Sequence, residues 1–157
     1  MSAPPLDIAG RLAALGLELP SVPQPVGNYR PAKRVGNLVF TSGQTARING
    51  VRRYVGKVGV DVSEQDAYLS ARDAALNCIA CAAAAAGGID RLRQVVKLTG
   101  WVNCVEGFER QPAVINGASD LLEKLFGEAG AHARSAVGAN ALPSNVSVEL
   151  EIVFEVD

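Results

Sequence analysis

The sequence predicts an α+β layer, with two helices on one face of a mixed sheet, and three observations carry that reading. From Val146 to Val156 every even position is apolar, while Ser147, Glu149, Glu151 and Glu155 between them are polar. A period of two marks a strand with one face on a core. Two stretches, from Ser63 to Gly87-Gly88 and from about Gln111 to Phe126, repeat small or apolar side chains at helical spacing. Between them, Leu92 to Val105 is rich in β-prone side chains and reads as a central strand. The resulting order is β-β-α-β-α-β-β.

Each element has a local cause. Ile8, Leu12 and Leu15 predict a short amphipathic helix over about 6–16, punctuated by Pro4 and Pro5 before it and Pro20 after it. Pro20, Pro23 and Pro25 hold an extended connector. Residues 1–25 are therefore expected to be a leader that packs on the outside and carries no chemistry, with a single domain over 26–157. Val35 to Ser42 reads as strand, entered through Gly36-Asn37, and Ile48 to Tyr54 as a second with a tight turn at Asn49-Gly50. Gly56 to Val62 reads as loop or short strand. Ser63 is placed to cap the first long helix, Glu64 and Asp66 suit its positive end, and Gly87-Gly88 stops it. Val114, Ala118, Leu121, Leu122 and Leu125 give the second helix an inward face, and Gly127 closes it. Ala133–Ala139 and Val146–Val156 read as a closing, hairpin-like pair.

Composition excludes several classes of function. A net charge of −1 and 5% aromatic residues argue against a nucleic-acid partner, which wants a basic footprint and stacking rings. Arg47, Arg52 and Arg53 form a short cluster that reads as solvated surface. No stretch reaches the roughly 18 consecutive apolar residues of a membrane span. The N-terminus, Met1-Ser2-Ala3-Pro4-Pro5, lacks the pattern of a signal peptide. Three cysteines, an odd number, suit a reducing compartment. A cytoplasmic location is expected.

Few groups can carry chemistry. Arg134 and Glu149 stand on two strands joined through Leu142-Pro143, where a small acidic substrate and a water can be held. Cys78-Ile79-Ala80-Cys81 has redox spacing, but its place inside a helix favours packing. Cys104 reads as a core strand residue. His132 is the single histidine, which makes a zinc cluster improbable. Gly56-Lys57-Val58-Gly59 does not match a phosphate-binding loop.

Three segments carry a resemblance. Val26-Gly27-Asn28-Tyr29, then Gly36-Asn37-Leu38-Val39-Phe40-Thr41-Ser42-Gly43-Gln44, then Arg134-Ser135 with Leu142-Pro143 and Val148-Glu149 together resemble the Rid/YjgF family. These are small enamine/imine deaminases, also labelled endoribonuclease or liver perchloric-acid-soluble protein. The resemblance implies a chorismate-mutase-like fold assembled as a homotrimer, with active sites at the subunit clefts. It implies that Arg134 grips a substrate carboxylate, that Glu149 positions the hydrolytic water, and that Tyr29 and Ser42 line the cleft. A substrate contact at Ala136 is carried by backbone, because the family's usual cysteine two positions after the arginine is Ala136 here. The acid usual four positions after the arginine is Gly138, and the proline before the tyrosine is Asn28, so the chain reads as a divergent subgroup.

The implied reaction is hydrolysis of a 2-imino acid, of the 2-iminobutanoate or 2-iminopropanoate type, to a 2-keto acid and ammonia, with no cofactor or metal. A guanidinium meets a planar carboxylate with two parallel hydrogen bonds, and one charge-assisted bond contributes about 1.5–3 kcal/mol. A ligand of about six heavy atoms cannot exceed roughly 9 kcal/mol, so one arginine is a large share of its binding. The alternative is a non-catalytic module that binds a small carboxylate or keto acid. A ribonuclease or translation inhibitor ranks lower, because the chain is neither basic nor ring-rich.

Overall fold

The structure, a computed structural model, describes residues 4–157; Met1 to Ala3 of the N-terminal reading lie outside the described residues. Helix α1 (Ile8–Ala14) leads into strands β1 (Ala32–Val35), β2 (Leu38–Thr41), β3 (Arg47–Ile48) and β4 (Val51–Arg52). Helix α2 (Glu64–Ala86), β5 (Leu92–Asn103), α3 (Gln111–Phe126), β6 (Ala133–Ala139) and β7 (Val148–Val156) follow. Five strands form one mixed sheet in the order β1-β2-β7-β5-β6, and β3-β4 is a separate ribbon. The sheet strands and long helices run β-β-α-β-α-β-β, but the two leading strands are not the two expected there, since both belong to the hairpin around Gly36-Asn37.

The long helices begin and end where local chemistry requires. Ser63 Oγ accepts from Asp66 N at 3.1 Å, and Gly87, at φ 94°, takes the left-handed turn that stops α2. Both helices cover one face of the sheet. From that face come Val148, Leu150, Ile152, Phe154 and Val156 of β7, all buried. The small residues of α2 let the layers close up, and Gly117 of α3 lies so near that a Cβ there would sit 1.9 Å from the Tyr68 carbonyl oxygen.

Three expectations need correction. The Val35–Ser42 strand is a hairpin: β1 and β2 pair across Gly36-Asn37, with Val35 opposite Leu38. The single strand expected over Ile48–Tyr54 is instead the β3-β4 ribbon turning at Asn49-Gly50; the leader packs through its apolar face, with Ile8 and Leu12 1% and 3% exposed and Arg11 Nη1 donating to Leu125 O at 2.8 Å. Third, β6 and β7 are not neighbours. β5 lies between them, parallel to β6 and antiparallel to β7. The β5-α3-β6 segment is a crossover, which puts β6 at the sheet edge beside β5 and leaves the other side of β5 for β7.

Candidate functional site

On β7 the apolar residues turn toward the helices, so Glu149 turns to the opposite face of the sheet. It opens there into a cavity of about 510 Å³ that Tyr29, Ser42, Gly43, Arg47, Arg52 and Pro143 also line. Gly43 leaves the room the Glu149 carboxyl occupies: a Cβ there would fall 2.4 Å from Glu149 Oε1, and the carboxyl would have to turn aside. Ser42 Oγ donates to Arg30 O at 2.5 Å, which leaves its lone pairs free to accept. Tyr29 is 46% exposed, and its hydroxyl accepts from Val26 N at 3.3 Å. That bond ties the connector to the cavity rim, where Pro23, Gln24 and Pro25 complete the wall. The segment expected to carry no chemistry therefore shapes the cavity.

Burial pushes the Glu149 carboxyl above its usual range, and the neighbouring Glu151 carboxylate adds to the rise. A raised carboxyl holds its proton longer in the folded chain than in the unfolded one. The stability it contributes is full below the unfolded value and declines as pH rises through the folded value. If ionised Glu149 is the base, the acid limb of the pH–rate profile should lie above the ordinary glutamate range. Glu151→Gln should move that limb slightly to lower pH, since burial is the larger cause of the rise; a parent limb within the ordinary glutamate range would show that Glu149 is not the group titrating.

The cavity's far wall, the β3-β4 ribbon, is held from below. Asn77 of α2 is fully buried, and its Nδ2 donates to Thr45 O and Arg47 O, each at 2.8 Å. Asn77→Ala strands both carbonyls. It is expected to cost about 2–3 kcal/mol, read as a lower urea midpoint; a loss under a few tenths would show that the ribbon holds itself.

Arg134 is elsewhere. It stands opposite Leu98, which is buried under the helices, whereas Glu149 stands opposite Trp101, three residues further along β5. An odd offset reverses the face. The two Cα atoms are thus about 14 Å apart by strand geometry, two strand spacings across and three residues along, with side chains on opposite faces. Ala136 shares the helix side with Arg134 and pairs with Gly100. One chain therefore brings together Tyr29, Ser42 and Glu149, and it sets Arg134 and Ala136 apart from them. The hairpin-like β6-β7 pair that would have joined them is not formed.

Arg134 is nonetheless held in a defined pose. Its Nη1 donates to Asn116 Oδ1 at 2.7 Å and to Ser119 Oγ at 3.1 Å. His132 Nδ1 lies 2.6 Å from Gly130 O, which can only accept, so Nδ1 carries the proton and Nε2 accepts from Ser119 Oγ at 2.9 Å. The Nε–H of Arg134 makes no hydrogen bond among the described residues. His132, just before β6, is thus part of the support for the guanidinium.

Arg47 and Arg52, read as solvated surface, are half-buried and exposed respectively, and both also line the cavity, which the sequence reading did not foresee. The signal was present: both are two positions from the Asn49-Gly50 turn, so they face each other across the ribbon. Cys78 and Cys81 are buried, and desolvation pushes the Cys81 thiol up to about 11 and Cys78 higher still. That fits the packing role.

Comparison with known proteins agrees with this architecture. Residues 9–156 match the family described as "YjgF/chorismate_mutase-like, putative endoribonuclease". Protein TCP17 of Trypanosoma cruzi is 36% identical over 151 residues, covering 96% of this chain and 94% of that one. A 2-iminobutanoate/2-iminopropanoate deaminase of Dermatophagoides farinae is 27% identical, covering 90% and 95%. The crystal structure of Atu1372 from Agrobacterium tumefaciens, a protein of unknown function, superposes with a TM-score of 0.89 at 42% identity, over 96% of this chain and 92% of that one. With its chorismate-mutase-like α+β fold, the chain belongs to the YjgF/RidA/L-PSP family, in a divergent subgroup with TCP17 and Atu1372.

Proposed function

We propose that the protein hydrolyses small 2-imino acids to 2-keto acids and ammonia, at a site made by two copies of the chain. The observation that carries this reading is the desolvated Glu149 carboxyl in a concave, partly apolar cavity. A carboxylate tuned toward neutrality suits a general base working near physiological pH. Glu149 orients water onto the imine carbon and takes its proton. Glu149 passes that proton to the imine nitrogen, giving the carbinolamine; the same carboxylate then carries the hydroxyl proton to that nitrogen as C=O forms, C–N breaks and ammonia leaves.

The carboxylate grip comes from Arg134 of a neighbouring copy. Two half-sites on different surfaces of one chain are completed when copies join, and a head-to-tail contact does this around a ring where its rotation closes. The outer sheet face offers material for that interface. Phe40 and Val137 are 44% and 46% exposed there, beside the half-buried Trp101. In the trimer that the family resemblance implies, the unused Nε–H of each Arg134 is free to donate to a substrate shared with the next copy.

The test couples an imine-generating amino-acid oxidase to keto-acid release, with the imine trapped by semicarbazide as competitor. Keto acid should form faster with the protein than without it. Equal rates would leave a small-carboxylate binding module, the second reading, as the function.

A further inference from the structure

One feature of the cavity has no part in that chemistry. Arg47 and Arg52 are cross-strand partners in the β3-β4 ribbon, and both line the Glu149 cavity. Directly opposed side chains on one face have Cβ atoms roughly 4.5–5.5 Å apart, and like charges so placed repel. Neither guanidinium makes a side-chain hydrogen bond or ion pair among the described residues, with Glu149 or with any other acid. Their neighbour Arg53 differs, lying 3.8 Å from the buried Asp73 carboxylate. The ribbon is short and exposed at its tip, yet its base is fixed by the two Asn77 hydrogen bonds to Thr45 and Arg47. A clamp of two unpaired cations is thus held on a wall that a buried side chain keeps in place.

Size points the same way. Six or seven heavy atoms, each needing no more room than a water at roughly 30 Å³, fill about 200 Å³. The cavity offers about 510 Å³. In one chain taken alone, before a neighbouring copy enters, a three- or four-carbon imino acid leaves room beside the wall with the two arginines.

We propose that Arg47 and Arg52 form a second anion-binding position, selecting substrates whose side chain carries a further carboxylate or a phosphate. This rests on the deaminase reading for the word substrate, but the anion site itself does not. Two guanidinium groups meet one carboxylate or phosphate with parallel hydrogen bonds, and the bound anion relieves their mutual repulsion. The side-chain anion reaches the ribbon while the 2-carboxylate stays with the partner copy's arginine and the imine carbon lies over Glu149.

Calorimetry with product keto acids tests it on the intact protein. Pyruvate has one anionic group, 2-oxoglutarate adds a carboxylate, and 3-phosphohydroxypyruvate adds a phosphate. At least one of the two larger acids should bind tenfold or more tightly than pyruvate, and the tighter of them identifies the second anion. Arg47→Gln with Arg52→Gln should erase that preference, bringing the larger acids to within about twofold of pyruvate in the same variant. Arg53→Gln, which leaves the cavity wall intact, should retain it. Equal affinities for all three acids in the parent protein, or a preference that survives the double substitution, would overturn the proposal. A clear preference without imine turnover would uphold the anion site and sink the deaminase reading; turnover without a preference would do the reverse.

Discussion

Glu149→Gln is expected to slow imine hydrolysis by about 10²–10⁴ while leaving keto-acid binding close to that of the parent. Glutamine keeps the shape that packs on Gly43 but cannot take a proton from water. Arg134→Ala should instead lose binding as well as turnover. It removes the charge-assisted grip on the 2-carboxylate, and it leaves Asn116 and Ser119 without their shared donor. Steady-state kinetics with an oxidase-generated imine separates the two: a kcat loss for the glutamine, a KM and kcat loss for the alanine. Parent-like rates in both would remove these residues from the chemistry. Glu149→Gln should also flatten the decline in stability that ionising a desolvated carboxyl causes as pH rises, so the loss of rate cannot be blamed on unfolding.

The largest effect on stability is expected from Gly117→Ala. A methyl group there meets the Tyr68 carbonyl oxygen at 1.9 Å, and that oxygen belongs to the backbone of α2 and cannot swing away. Helices α2 and α3 must separate, and both rest on the sheet through buried side chains. Overpacking of this kind costs about 3 kcal/mol at the upper end of its usual range, against a helix-propensity gain of at most about 1 kcal/mol for replacing glycine. Urea unfolding should show a clear drop in midpoint. An unchanged or raised midpoint would mean that the helix pair is looser than its spacing shows.

Local chemistry made much of the fold legible. Ser63 with Asp66 and Gly87 fixed the ends of α2 to within a residue, and Gly127 did the same for α3, because caps act on their own neighbours. Alternation along Val146–Val156 told which side chains face the helices. It said nothing of which strand lies alongside, and β6 and β7 were paired by their closeness in sequence. β1 escaped notice because three of its four residues are exposed, so it carries no alternation to read.

The site was legible only in part, for the same reason. Tyr29, Ser42 and Glu149 meet in one cavity, as the family resemblance implies. Arg134 does not join them within a chain, since the face and the strand order that separate them arise from the β5-α3-β6 crossover rather than from any local pattern. Arg47 and Arg52 were hidden by ordinary composition, as two surface-type residues whose facing positions depend on a turn. Asn116, Ser119 and His132 are brought to Arg134 by the packing of α3 on the sheet edge, which no spacing in the sequence signals.

Mixing the two inactive variants tests the two-copy site most directly. Arg134→Ala and Glu149→Gln chains are unfolded together, refolded together at equal amounts, and assayed against each variant refolded alone. An arginine from one copy acting with a glutamate from the next gives about a quarter of the sites both intact groups in a randomly mixed ring, so activity should return to about that fraction of the parent's. No recovery in rings shown to be mixed would mean that arginine and glutamate must come from the same chain, contrary to the geometry described above.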